Sequence, residues 1–359
     1  MLVLALVPSI YDTSPGQRYR IEQWQGGLKQ SGVEITFAAF EDKSLNTVLY
    51  AKKQWLRKGF GIGHAFFRRL SAIKQSKSYD LVYVFREAAL LGPSIFERLI
   101  HFRRVPLVFD FDDAVFLPYR SPSNGWLSLL KAPGKTETIC RLASQVMVGN
   151  NYLAEYARRF NRNVTVIPTT IDTETYRVQP LRNASSPVIG WTGSYSTVQH
   201  LDLLRSALAE LSRRERFRVR VIGPPDHKLE GVDVEVVPWR SRTEVQDLAA
   251  VDIGIMPLPD NPWSRGKCGC KALQYMGLGI PAVCSPVGMN TDLIRDGENG
   301  FLASNPEEWM AKLTLLLRSP ELRRKLGLAG RKTVEEGYSA ASQVPRVHEV
   351  FRSAIKGLR

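Results

Sequence analysis

The chain has 359 residues, 44% apolar and 23% charged, with 49 Lys and Arg against 35 Asp and Glu for a net charge of +14. That length is enough for two domains with a core each, the composition is that of a globular protein, and no run of 18 apolar residues offers a membrane span. Cys140, Cys268, Cys270 and Cys284 have neither disulfide-framework nor zinc-site spacing.

The opening MLVLALVPSI lacks the basic start and small-residue cleavage site of a signal peptide and reads as a buried first strand, Leu2 to Val7. Further apolar runs at Glu34–Ala38, Leu81–Phe85, Leu107–Asp110, Gln145–Val148 and Val164–Ile167 alternate with helical patterns. The polar stretch from Val178 to Pro187 reads as a linker. A second set of runs follows at Val188–Trp191, Arg218–Ile222, Val234–Val237, Ile253–Met256 and Ala282–Cys284, before a basic helix over Ala341–Lys356. The alternation predicts an α/β chain of two doubly wound parallel-sheet domains, over 1–177 and 178–340, with 341–359 as a separate terminal helix.

The positive charge is uneven. Up to Asp172 there are 23 Lys and Arg against 14 Asp and Glu, a net +9, and beyond it 26 against 21, a net +5. Between Lys43 and Lys77 stand nine basic residues and no acidic one, interleaved with Trp55, Phe60, Ile62, Phe66 and Phe67. Gly59, Gly61 and Gly63 are expected to break this segment into two short helices, leaving Phe60 and Ile62 at an exposed turn. A basic face opposite apolar and aromatic side chains suits an anionic membrane surface; the other reading is an apolar face packed on its own domain under a solvated basic one. The basic residues follow no nucleic-acid-binding motif, so no nucleic-acid partner is expected.

Two stretches carry the chemistry of an anion site. Gly193 to Thr197 follows a strand and precedes a helix start near Val198, which offers backbone N–H groups and the hydroxyls of Ser194 and Thr197 to a diphosphate. GKCGCKALQYMGLGIPAVCSPVGMN, Gly266 to Asn290, holds a helix stopped by Gly277 and Gly279, a short buried strand, and a loop through Gly288 and Met289 to a helix opening at Asn290 or Thr291. Lys267 and Lys271 add positive charge there. An ordinary helix–strand–helix unit with solvated lysines has the same spacing.

KALQYMGLGIPAVCSPVG resembles the nucleotide-sugar signature of retaining glycosyltransferases of family 4, once called group 1, which have two facing Rossmann-like domains (the GT-B fold). Gly190-Trp191-Thr192-Gly193-Ser194, Ile167-Pro168-Thr169-Thr170-Ile171-Asp172 and Asp296-Gly297-Glu298-Asn299-Gly300-Phe301-Leu302 are similar to three further segments of that family, in the same order. The resemblance implies transfer of a sugar from a nucleoside-diphosphate-sugar to a hydroxyl of a glycan or lipid-linked acceptor. The donor is a substrate, with no cofactor and no metal. The implied setting is bacterial polysaccharide or lipopolysaccharide assembly, by a cytoplasmic protein peripheral on the inner membrane face.

On this reading Lys267 and Lys271 face the diphosphate beside Gly193, Ser194 and Thr197 and stabilise the charge that the leaving nucleotide gains. Gly288, Met289 and Asn290 complete the donor loop, and Trp239 stands where the family holds the nucleobase. Many members carry two glutamates eight positions apart, toward the donor sugar and the ribose; here those positions are Gly266 and Gln274. Gln274 can still bond a ribose diol, and Asp260 or a backbone N–H of the Gly288 loop can stand in for the first glutamate.

In the first domain Asp110, Asp112 and Asp113 match the place of a catalytic or acceptor-facing His or Asp. Mutual repulsion should raise at least one of their pKa values, which suits proton abstraction; a structural Asp cluster is the other reading. Arg18, Arg20, Arg86 and Glu87 are candidates for phosphate or acceptor contacts. In the family the C-terminal helix crosses back to the first domain. The missing first glutamate also admits a different class of protein, a catalytically inactive nucleotide-sugar-binding partner subunit.

Overall fold

A computed structural model of the chain describes residues 1–49, 54–118, 132, 134–178, 180, 186–224 and 226–357. Lys52 and Lys53 of the basic segment, and most of the expected linker, lie outside the described residues.

Two six-stranded sheets organise the described residues, and every strand pairing in them is parallel. The first comprises β1 (Leu2–Val7), β2 (Glu34–Ala39), β3 (Leu81–Phe85), β4 (Leu107–Phe111), β5 (Gln145–Val148) and β6 (Val164–Val166), in the order β2-β1-β3-β4-β5-β6. The second comprises β7 (Val188–Thr192), β8 (Arg218–Gly223), β9 (Val234–Pro238), β10 (Ile253–Met256), β11 (Ala282–Cys284) and β12 (Phe301–Leu302), in the order β12-β11-β10-β7-β8-β9. Strands such as β3, β4, β7 and β10 are buried along their whole length, as parallel strands covered on both faces must be. Strand order reverses between β1 and β3 in the first sheet and between β7 and β10 in the second. In open α/β sheets such switch points leave a crevice beyond the carboxyl ends of the strands, where ligands bind.

The chain divides into two compact units, 1–169 with 343–359, and 170–342. The first division lies at 169/170 instead of 177/178 because the intervening residues are fastened to the second unit. Ile171 bridges to Ser339, the Tyr176 hydroxyl donates to Glu244 at 3.0 Å, and Arg331 donates to the Thr173 carbonyl at 3.0 Å. The last helix, Ala340–Lys356, places its later residues in the first unit: Phe351 packs edge-on to Tyr83, and Arg346 donates to the Val166 carbonyl at 2.9 Å.

The expected break at Gly59, Gly61 and Gly63 does not occur. One helix runs from Trp55 to Lys74. Its inner face is tied down at several points, since Arg69 donates to the carbonyls of Ala38 and Val7 at 2.7 and 2.9 Å and Arg68 to that of Phe40 at 2.7 Å. Gly61 meanwhile sits over Leu45, where a Cβ would come within 3.1 Å of its side chain. These tertiary contacts outweigh a propensity cost of about 1 kcal/mol per glycine.

Candidate functional site

The switch point of the second sheet brings together most of the residues that the sequence nominated for a donor. Beyond β7 the chain turns through Gly193–Thr197, pinned by Gly193 N–H to the Ile222 carbonyl at 3.0 Å. The neighbouring strand leaves no room for anything larger. A Cβ on Gly223, whose φ is +145°, would lie 2.0 Å from the Gly193 carbonyl oxygen. Within the turn the Ser194 N–H donates to Thr197 Oγ1 at 3.1 Å and the Ser194 and Ser196 hydroxyls pair at 2.9 Å, so part of the hydrogen-bonding capacity expected to face a diphosphate closes the turn on itself.

Beyond β10, a short helix Pro262–Arg265 is capped by Asn261 and leads through Gly266–Gly269 into the helix Cys270–Gly277. The Gly288 turn after β11 packs on this loop: Gly288 has φ +57° and ψ −132°, and a Cβ there would come within 2.7 Å of the Arg265 carbonyl oxygen. Asn290 follows, buried, with its amide donating to the Ser285 carbonyl at 3.0 Å. Met289 beside it is buried too. Ser264 Oγ and Asn290 Oδ1 are buried with no hydrogen-bond partner among the described residues. Asp260 is engaged by Arg265 through two bonds, at 2.7 and 3.1 Å, which weakens its claim to stand in for the absent first glutamate.

The two lysines each lie over an indole. Lys267 Nζ is 5.8 Å from the Trp263 ring and Lys271 Nζ is 5.4 Å from that of Trp191, a cation–π arrangement that keeps the ammonium groups on an apolar floor. Their field reaches His200, one turn beyond Thr197. Burial first, then Lys267 and Lys271, push the His200 imidazole down to about 4. The sequence reading passed over His200, because a single histidine in a short 3₁₀ segment carries no periodic or motif signal.

Gln274 is differently placed from the expectation. It is buried, and its Nε2 donates to Glu244 Oε1 at 3.1 Å; the same oxygen accepts from Trp239 Nε1 at 2.8 Å, and Glu244 Oε2 accepts from the Tyr176 hydroxyl at 3.0 Å. A buried carboxylate thus joins both residues nominated for the nucleoside. Glu244 was missed too, because an acidic residue in the first turn of a helix reads as an ordinary terminus group.

In the first unit the acidic cluster separates into two environments. Asp110 and Arg20 are fully buried against one another: Arg20 Nε donates to Asp110 Oδ2 at 2.8 Å, a second bond joins Arg20 Nη2 to Asp110 Oδ1, and the Tyr83 hydroxyl also donates to Asp110. Arg20 further stacks on Trp24 and donates to the Ile167 carbonyl. Neither side chain can reach an acceptor or a phosphate, which corrects both nominations. Burial, opposed by Arg20, raises the Asp110 carboxyl; mutual repulsion is a minor cause.

Asp112 and Asp113 instead stand at the first sheet's switch point, where Arg86 Nε donates to Asp112 at 2.7 Å and Arg86 Nη2 to Asp113 at 3.1 Å. Burial alone would raise Asp112, but the Arg86 guanidinium holds it below the usual carboxylate range, against the expectation of a raised value. Arg86 has φ +58°, a left-handed conformation uncommon for a residue with a side chain, and is held there by its N–H donating to the Asp110 carbonyl at 2.7 Å. Gly16 closes the other side, since a Cβ there would come within 2.7 Å of the Arg86 guanidinium. Arg18 is paired with Asp12 at 2.7 Å and Glu87 with Lys135 at 2.6 Å, so both nominated groups face a counter-charge.

Comparison with known proteins places these features. Residues 186–319 match the family described as glycosyl transferases group 1. A D-inositol 3-phosphate glycosyltransferase of Segniliparus rotundus is 25% identical over 215 residues, which cover 53% of this chain and 47% of that protein. The chain therefore spans about half the length of that curated relative. Among solved structures, sucrose-phosphate synthase from Thermosynechococcus elongatus superposes with a TM-score of 0.72 at 15% identity, covering 99% of this chain and 100% of that one. Anabaena Alr3699/HepE, in complex with UDP and glucose, superposes with a TM-score of 0.69 at 17% identity, covering 98% of this chain and 100% of that one. Residues 186–319, within the second unit, are thus similar to group 1 glycosyltransferases, and the two parallel six-stranded sheets match the GT-B fold of the structural neighbours.

Proposed function

We propose that the chain is a retaining, metal-independent glycosyltransferase that moves a sugar from a nucleoside-diphosphate-sugar to a hydroxyl of a glycan or lipid-linked acceptor. The setting is bacterial envelope polysaccharide assembly, at the inner membrane face. The observation that carries the donor half is the cationic cluster at the β7/β10 switch point, where Lys267 and Lys271 stand over Trp263 and Trp191 near the Gly193 turn and, after burial, lower the His200 imidazole. As the bond from the sugar C1 to the diphosphate oxygen breaks, the leaving group gains negative charge, and fixed cations there bind the transition state more tightly than the ground state. The HepE neighbour is in complex with UDP and glucose, which supports a nucleotide as ligand.

The acceptor hydroxyl forms the new bond to C1 as the bond to the diphosphate breaks, and its proton passes to the departing diphosphate oxygen. Asp112, held ionised by Arg86, is a weak base and a strong hydrogen-bond acceptor, so its role is to orient the hydroxyl, with Asp113 beside it. Retention and metal independence rest on the family resemblance.

A panel of UDP-, GDP- and ADP-sugars in EDTA, scored by thermal shift and by released nucleotide, tests the proposal. One donor should stabilise the protein and be slowly hydrolysed. Lys271→Ala should weaken its binding by about 1.5–3 kcal/mol, the range for a hydrogen bond to a charged group. Binding without any turnover would point to an inactive partner subunit, a reading that Gly266 favours because it has no side chain to hold the sugar. Activity lost in EDTA and restored by magnesium would overturn metal independence.

A further inference from the structure

The helix Trp55–Lys74 buries two cations beside Ala65 and Ile73 and leaves large apolar side chains outside. Lys58 and Arg69 point inward and are buried, while Leu56, Phe60 and Phe67 are 91%, 83% and 75% exposed. With Leu70 these residues fall at i, i+4, i+11 and i+14, a single stripe along one side of a helix about 30 Å long. Single exposed apolar side chains are common, but four large ones along one side of a helix mark an interaction surface. The helix cannot roll to bury it, because Arg69 and Arg68 fix its rotation through bonds to the backbone carbonyls of Val7, Ala38 and Phe40.

The helix Ile95–Phe102 extends the surface. It packs alongside through Phe66 and Phe96, whose rings are 5.3 Å apart, and Arg103 beyond its end donates to the Lys74 carbonyl at 2.7 Å. Its own outer side carries Ile95, Arg98 and Phe102, the last 84% exposed.

Charge identifies the occupant. Arg57, Lys74, Lys77, Arg98 and Arg104 are exposed around the stripe, residues 54–79 contain no Asp or Glu, and Glu97, the one carboxylate on the second helix, is buried and accepts from the Ala88 N–H at 2.9 Å. A second copy of the chain docking here by two-fold symmetry would bring the same cations together. An anionic lipid surface offers the opposite charge at its head groups and an apolar layer just beneath.

We propose that the outer faces of these two helices are a docking surface for an anionic bilayer, with Leu56, Phe60, Phe67 and Phe102 inserted and the flanking Arg and Lys at the head groups. This rests on the membrane reading above and gives it a surface: the apolar stripe, not a basic helix face, makes the principal contact.

Sedimentation with phosphatidylcholine vesicles, with and without phosphatidylglycerol, tests it on the full chain. The wild type should pellet with the anionic vesicles, less so at high salt. Leu56→Ser/Phe60→Ser/Phe67→Ser should partition at least about thirtyfold less, as expected for three large side chains that no longer leave water. Phe102→Ser alone should show a smaller loss. Thermal stabilisation by UDP in the same variants monitors the donor site independently, so failure of membrane docking and failure of the transfer reading are told apart. Equal pelleting of wild type and triple variant, or a wild-type dimer in lipid-free solution that the triple variant abolishes, would overturn the proposal.

Discussion

The two switch points are built on opposite electrostatic principles. At β7/β10, Lys267 and Lys271 sit over indole rings, and burial together with their field depresses a nearby histidine. At β1/β3, one arginine is shared between two aspartates, both within hydrogen-bonding distance of it. The first arrangement leaves a positive potential that favours a multiply charged anion; the second leaves a local excess of acceptors, suited to a neutral hydroxyl. Under the transfer proposed above, the charge at the carboxyl ends of two similar sheets assigns donor to one and acceptor to the other. Topology sets where ligands go, and a few side chains set which.

The division within the acidic cluster gives the largest expected effect. Asp110→Asn removes one partner of a buried ion pair and should cost about 3–5 kcal/mol of stability. Asp112→Asn, which leaves Arg86 with Asp113 and solvent, should cost far less stability and lower turnover instead, with little change in donor affinity. Chemical denaturation and steady-state kinetics on the two variants separate the cases. If Asp110→Asn kept wild-type stability, or if Asp112→Asn left turnover unchanged, the contrast between the fully buried pair and the partly exposed one would be lost.

That contrast was invisible in the sequence, where the three aspartates are nearly contiguous. Asp110 lies within a strand buried on both faces, and its partner Arg20 is ninety positions earlier in the chain. The strands themselves were legible, because apolar runs such as Leu81–Phe85 and Ile253–Met256 fill parallel sheets and little else. The exception is β12, Phe301–Leu302, too short for any periodicity. The Gly193 turn and the loop that carries Lys267 were legible as loops, because glycines and small polar residues after an apolar run mark the end of a strand. The helix Trp55–Lys74 misled for a different reason: propensity marks three glycines as breakers, and the contacts of Arg68, Arg69 and Gly61 that overrule them come from remote segments.

The buried carboxylate of Glu244 offers a test intermediate in size, on the donor side. It accepts from Trp239, Gln274 and Tyr176 at once, so Glu244→Gln turns one acceptor oxygen into a donor amide facing other donors. A buried group left unsatisfied costs about 1–3 kcal/mol. Gln274→Glu alone would set two carboxylates against each other. The double variant Glu244→Gln/Gln274→Glu restores one carboxylate and one amide in contact, and should recover most of the stability and nucleotide affinity lost in either single variant. A double-mutant cycle on UDP binding and on denaturation reads the coupling directly. Additive losses would mean that Glu244 and Gln274 act separately and that the carboxylate has no share in orienting the amide.

The smallest effect concerns pH and tests whether the positive cluster senses its ligand. His200 has an ordinary value near 6.5 in the unfolded chain and about 4 in the folded one, lowered by burial and by Lys267 and Lys271. Between those values the unfolded chain binds a proton that the native chain does not, so this contribution to stability is fully present above about pH 6.5 and is lost as pH falls toward 4. A diphosphate beside the lysines would offset their charge and raise the His200 value, so binding should take up protons in that window and tighten as pH falls. The nucleotide's own phosphate titration works in the same range, and His200→Gln isolates the protein's part. Calorimetric titration of UDP at pH 5.5 in two buffers of different ionisation enthalpy should show proton uptake in the wild type exceeding that in the variant, with an affinity difference of only a few-fold. Equal proton uptake in both proteins would place the diphosphate away from His200, whose imidazole is kept neutral by burial with the two lysines adding to it.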